Sequence, residues 1–157
     1  MGTIYIVIRY DVPTDSDFSL PHYQELAEFR HQLRRFLHFS EEQARAQGLE
    51  PHQHQALLAL KGLPAGGRPT IGELADRLLL RHHTTVELVN RMEAAGWVRR
   101  ESDPNDGRVI LVQLTSKGAN KLRALTVAHR DELAVEGPKL ARALRAIIRE
   151  RQKTEVA

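Results

Sequence analysis

Apolar residues recur along this chain with two different periods, and the change from one to the other marks its middle. Between Thr70 and Leu78, Ile71, Leu74, Ala75 and Leu78 fall at three- and four-residue steps, with Glu73, Asp76 and Arg77 looking outward. That spacing predicts a short amphipathic helix. Thr70 followed three residues later by Glu73 reads as a capping box, a hydroxyl and a carboxylate that satisfy backbone donors reciprocally. A tight connection through Leu79 and Leu80 leads to a second helix from about Arg81 to Ala95, with Val86, Val89 and Met92, helped by Leu88, as its buried stripe. Gly96 supplies a left-handed residue to end it. The period then drops to two. Trp97 to Glu101 and Arg108 to Leu114 read as strands, the second alternating Ile110, Val112 and Leu114 against Val109, Leu111 and Gln113. Asp103, Pro104, Asn105, Asp106 and Gly107 between them are turn residues.

The flanks are helical. From about Pro21 to Gln47, Tyr23, Leu26, Leu33, Phe36 and Leu37 recur at helical steps, widened by Phe29 and Phe39, and Gly48 ends the run. Glu50 and Pro51 open a further helix through Ala56, Leu57, Leu60 and Leu63, and residues 64–69 make a turn. After the strands Thr115 caps a helix through Leu122, Leu125 and Val127 to roughly Glu136, which Gly137 and Pro138 are expected to break. A final helix sets Leu140, Leu144, Ile147 and Ile148 against Arg142, Arg145 and Arg149 and runs into the polar tail 151–157. Thr3 to Tyr10, rich in β-branched and aromatic residues, reads as a strand, either a loosely packed leader or a segment that packs across a dimer. The first and last helices carry broad apolar faces with little of their own chain to cover them. A homodimer built from both ends would bury them.

The fold class that follows is mainly α with a small two-stranded β wing, a winged helix-turn-helix whose dimer is formed by N- and C-terminal helices. One domain is expected, divided into an N-terminal extension (1–19), dimerisation helices (20–48 and 116–157) and a reading head (49–115). The outward face of the second head helix carries Arg81, His82, Thr84, Thr85, Glu87, Asn90 and Arg91, side chains of the kind that reach base edges and phosphates from a major groove. Glu87 would accept from a cytosine amine or repel phosphate. Arg108, at the wing tip beside Asp106, is placed to enter a minor groove or meet phosphate.

The segments Ile71 to Leu78, Thr84 to Arg100, Asp103 to Arg108 and Leu114 to Gly118 together resemble the MarR family of transcription regulators. The resemblance is close from Gln47 to Leu122 and extends to the flanking helices in layout. It implies that Asp106, Gly107 and Arg108 match the family's Asp-x-Arg wing motif, the arginine entering the minor groove while the aspartate braces it. It also implies repression at a pseudo-palindromic operator on double-stranded DNA, and a small aromatic effector between the dimer helices and the head. Arg81, His82 and His83 depart from the small hydroxyl residues of many relatives, so base preference does not carry over.

Composition narrows this further. A length of 157 residues suits one domain. With no cysteine there is no disulfide, no zinc-thiolate site and no thiol-based peroxide sensing. No apolar run is long enough to cross a bilayer and the start lacks the pattern of a signal peptide, so a cytoplasmic location is expected. The net charge of +3 and pI near 9.5 fit nucleic-acid binding. In the head, however, Arg77, Arg81, Arg91, Arg99, Arg100 and Arg108 face Asp76, Glu87, Glu93, Glu101, Asp103 and Asp106, so the order of elements carries more weight than charge. Of eight histidines, His52 and His54 are spaced wrongly for one helical face, and neither a metal site nor a cofactor is expected. His38 is a candidate ligand-contacting or pH-sensitive group, and His83 could face in or out. No phosphate-binding glycine loop, His-Glu-x-x-His or Gly-x-Ser-x-Gly occurs, and no enzyme is expected. The alternative is a winged-helix module that binds a protein and not DNA, through the same surface or through its dimer helices.

Overall fold

Helix ends decide most of the layout. The computed structural model describes residues 19–154, so the expected strand from Thr3 to Tyr10 lies outside the described residues. Within them the order is α1 (Leu20–Ala46), α2 (Pro51–Lys61), α3 (Ile71–Leu78), α4 (His82–Ala94), β1 (Val98–Ser102), β2 (Ile110–Leu114) and α5 (Ser116–Thr154). Three of these helices end the same way. Leu49 N–H returns to Ala44 O, Leu80 N–H to Ala75 O and Trp97 N–H to Met92 O, each across a residue of positive φ. This is the Schellman closure. Gly48 (φ 73°) and Gly96 (φ 75°) adopt it without a Cβ clash, whereas Leu79 (φ 54°) does so with its side chain 92% exposed.

Residues 35–137 form one compact unit. Leu57 of α2, Leu74 of α3, Leu88, Val89 and Met92 of α4, Val98 and Val112 of the strands and Leu122 and Leu125 of α5 make its core. Each such side chain contributes about 1.5–3 kcal/mol by leaving water. The strands pair antiparallel with Val98 opposite Leu114 and Ser102 opposite Ile110. Ahead of α3 the chain adds a rung that the alternation in the sequence did not announce, an antiparallel bridge from Thr70 to Leu111 with Val112 N–H on Pro69 O at 2.7 Å. At the far end of the hairpin α5 starts against Gly96 and Trp97, just ahead of β1. Thr115 Oγ1 accepts from Gly118 N–H (3.1 Å) and donates to Gly96 O (2.7 Å), and Thr115 N–H reaches Trp97 O at 3.1 Å. A Cβ on Gly118 would lie 2.1 Å from Trp97 O, so the approach of helix to strand requires glycine there.

The outer ends of α1 and α5, residues 19–34 with 138–154 among those described, form the second unit. Ala143 and Gln32 are buried there, and Gln32 Nε2 donates to Glu28 Oε1 at 2.7 Å. Leu20, Tyr23, Leu26, Leu144 and Ile148 are exposed.

Three sequence expectations need correction. Gly137 and Pro138 do not break the helix: α5 is continuous with Pro138 inside it. Proline removes one backbone donor and crowds one carbonyl, and helical residues on both sides outweigh that loss. The capping box at α3 is half made: Thr70 Oγ1 accepts from Glu73 N–H at 3.2 Å, but Thr70 N–H goes to Arg68 O and Glu73 Oε1 takes Arg77 Nε at 2.7 Å. Val86, expected in the buried stripe of α4, is half-buried, and Thr85 takes its place in the interior.

Candidate nucleic-acid interface

The helix α4 offers one polar face because its other face is consumed by packing. Leu88, Val89 and Met92 turn inward, leaving Arg81, His82, His83, Glu87, Asn90 and Arg91 exposed and Thr84 half-buried. Thr85 departs from the expected surface. Its side chain is fully buried and its Oγ1 donates to Arg81 O at 3.1 Å, so it closes the first turn of α4 from inside. His83 faces out. Arg81 is the N-cap with extended backbone, and no side chain caps the helix start. Arg91 Nη2 lies 3.5 Å from Glu50 Oε2 at the head of α2.

The loop between β1 and β2 is braced twice. At its root Asp103 is buried, with Asn105 N–H on Oδ1 at 2.7 Å, and with Arg68 Nε at 3.1 Å and Nη2 both on Oδ2. The Asn105 amide first, and then the Arg68 guanidinium, hold its carboxyl below the usual carboxylate range. At its tip Asp106 Oδ1 accepts from both Arg108 N–H and Arg108 Nε, each at 3.2 Å. The Arg108 side chain is 93% exposed. A second tie joins wing to helix: Glu93 takes the Arg100 backbone N–H (2.8 Å) and its Nη1, while Asn90 Oδ1 takes Nη2 at 2.7 Å.

Residues 47–109 match the MarR family profile, which covers the head from the end of α1 to the wing. An uncharacterised HTH-type transcriptional regulator of Mycobacterium leprae is 33% identical over 119 residues, 76% of this chain and 78% of its own. The chain belongs to the MarR family. The HTH-type transcriptional regulator YcgE of Bacillus subtilis is 40% identical over 79 residues, 50% of this MarR chain, which spans about half (49%) of that relative's length. A mutant of S. aureus MepR, solved bound to an oligodeoxyribonucleotide, shares the fold with a TM-score of 0.59 at 18% identity, over 88% of this chain and 96% of its own. The Mycobacterium leprae and Bacillus subtilis relatives are both named as HTH-type transcriptional regulators. No described helix is long and apolar enough to cross a membrane.

Two groupings in this MarR chain had no signature in the sequence. Arg68 and Asp103 lie 35 positions apart, and only folding the turn before α3 against the hairpin brings them together. The rings of His54 and His129 lie against each other with centroids 4.7 Å apart and their planes inclined by 42°. His54 is 4% exposed, and burial first, then the nearby His129, lowers its pKa to about 4. His129 Nδ1 lies 2.7 Å from Leu125 O and Nε2 lies 2.8 Å from Ser40 Oγ, with Phe36 and Phe39 edge-on to its ring. A carbonyl only accepts, so Nδ1 of His129 carries the proton. His38, the histidine singled out from the sequence, is exposed.

Proposed function

We propose that the protein binds double-stranded DNA sequence-specifically as a homodimer and regulates transcription, with α4 in a major groove and the wing over the adjoining minor groove. The observation that carries this reading is the pairing of one outward polar face on α4 with Arg108, projected into solvent and steadied by Asp106. Arg81, His82, Thr84, Glu87 and Arg91 read bases and phosphates from the helix; Arg108 enters the minor groove with Asp106 as its brace. Thr85 supports the first turn from within. The oligonucleotide complex of the MepR mutant supports the same use of the fold. The dimer forms through the helices at both chain ends, whose exposed Leu20, Tyr23, Leu26, Leu144 and Ile148 need cover. Its two-fold symmetry calls for a pseudo-palindromic operator with half-sites about one turn, roughly 10 bp, apart. The protein acts as a repressor released by a small aromatic effector, which shifts the population toward a spacing of the heads that no longer fits the operator.

Selection of bound sequences from a random duplex pool at moderate salt tests this. Enrichment of a pseudo-palindrome with one-turn spacing is expected. A pool that stays random would refute sequence-specific DNA binding and leave a protein-binding head as the use of the same surface.

A further inference from the structure

Asn90 stands on the exposed face of α4, where an asparagine is the usual reader of adenine, accepting from N6 and donating to N7 with its two amide atoms together. Here its acceptor is already engaged. Arg100 carries only donors, so the amide atom 2.7 Å from Nη2 is the carbonyl oxygen, and the orientation of the carboxamide is settled by chemistry. Glu93, one turn further along, takes the neighbouring nitrogen Nη1 and the Arg100 backbone N–H. Two positions one turn apart on α4 therefore grip one guanidinium rising from β1. The bond is charge-assisted and directional, and turning Asn90 toward a base would give it up.

From this geometry we infer that Asn90 is a positioning residue: with Glu93 it fixes Arg100, and so fixes the wing against the recognition helix, instead of reading a base. The inference rests on the DNA-binding reading above for its consequence, but the grip itself exists without DNA. Its role is to hold the spacing between the groove-reading face of α4 and Arg108, so that both reach their grooves at once.

Three variants, Asn90→Asp, Asn90→Ala and Arg100→Ala, separate positioning from reading. Aspartate keeps the acceptor but discards both donors, so it serves a positioning residue and disables an adenine reader. On the operator recovered by selection, Asn90→Asp is expected to keep the parent's preference at every base pair, with its added charge costing affinity evenly across operator variants. Asn90→Ala and Arg100→Ala are each expected to lose about tenfold, evenly across operator variants, and their combination no more than the larger single loss. An Asn90→Asp variant with preference relaxed at a single base pair would overturn the inference while leaving DNA binding intact. A DNA-free readout keeps the two readings apart. In the free protein, nitrogen-resolved NMR should give the Arg100 Nη protons distinct, slowly exchanging signals in the parent and in Asn90→Asp, averaged in Asn90→Ala. Averaged signals in the parent would refute the grip whatever the protein binds.

Discussion

The approach of α5 to β1 gives the sharpest test of the fold, because the same substitution should act in opposite directions at two helix starts. Gly118 sits in the first turn of α5 without a positive φ, so alanine is acceptable to its backbone; the obstacle is Trp97, whose O and C would lie 2.1 and 3.0 Å from the new Cβ. An ordinary contact needs roughly 3.2 Å or more, so the helix start must retreat by about 1 Å. That displacement stretches the Thr115 N–H bond to Trp97 O, the Thr115 hydroxyl bond to Gly96 O and the Gly118 N–H bond to Thr115 Oγ1. At about 1 kcal/mol each these amount to roughly 3 kcal/mol, and overpacking adds about 1–2 kcal/mol. Alanine's better helix propensity returns about 1 kcal/mol. The net for Gly118→Ala is a destabilisation of about 3–4 kcal/mol, which for a chain of this size lowers Tm by roughly 6–16 °C. Gly72, in the first turn of α3, has only Thr70 Oγ1 near it, at 3.8 Å, and Gly72→Ala should stabilise by about 0.5–1 kcal/mol. Urea unfolding of both variants at one fixed protein concentration measures this. A Gly118→Ala midpoint equal to that of Gly72→Ala would refute the close approach.

Further outcomes follow from single residues. Leu79→Asn should raise stability by about 0.5–1 kcal/mol in the same unfolding assay, since asparagine tolerates the left-handed backbone and nothing is lost from the core by removing a side chain that is 92% exposed; a destabilised variant would mean that the leucine has a hidden packing partner. His54 is neutral when folded, with a pKa of about 4 against about 6.5 unfolded, so the unfolded chain binds its proton first. Stability contributed by the neutral ring is therefore complete above pH 6.5 and lost as pH falls toward 4, by about 3 kcal/mol. His54→Gln should flatten the stability profile in that window, and an unchanged slope would contradict the burial of the ring. Arg108→Ala should weaken operator binding by about 10- to 100-fold with an unchanged melting temperature; gel retardation beside a thermal melt distinguishes a lost contact from a lost fold.

The parts of this fold that were legible in the sequence are those whose causes are local. Helix starts at Pro51 and Thr70, glycine ends at Gly48 and Gly96, and the turn residues from Asp103 to Gly107 each act within a few positions. The strand alternation likewise placed Val112 in the core. What was missed is contributed by tertiary partners. Nothing near Thr85 in the chain distinguishes an inward hydroxyl from an outward one; its burial follows from the angle at which α4 packs, and its own Arg81 carbonyl satisfies it. The Pro69 rung on β2, the Arg68–Asp103 tie and the His54–His129 ring contact join segments far apart in sequence. Pro138 signals a break locally, at a cost of a few kcal/mol, but the long helical run on either side of it outweighs that cost. At the candidate interface the exposed character of Arg81, His82, Glu87, Arg91 and Arg108 was readable, whereas the engagement of Asn90 with Arg100 was not.

The ion pairs of the head bear on how such a surface would search a genome. Arg68, Arg77, Arg91, Arg99, Arg100 and Arg108 each already hold a carboxylate. Among the described residues Arg81 is the arginine of this stretch with no carboxylate within 4 Å. A phosphate approaching any of the others competes with a resident anion, so contact is an exchange of partners and not a capture by bare charge. Loose encounters with arbitrary duplex would gain little from such exchanges, and the counterion-release slope should fall below the number of arginines on the surface. Where the fit is good, several exchanges succeed together. Selectivity would then come from the reluctance of the surface to hold the wrong DNA as much as from its grip on the right one.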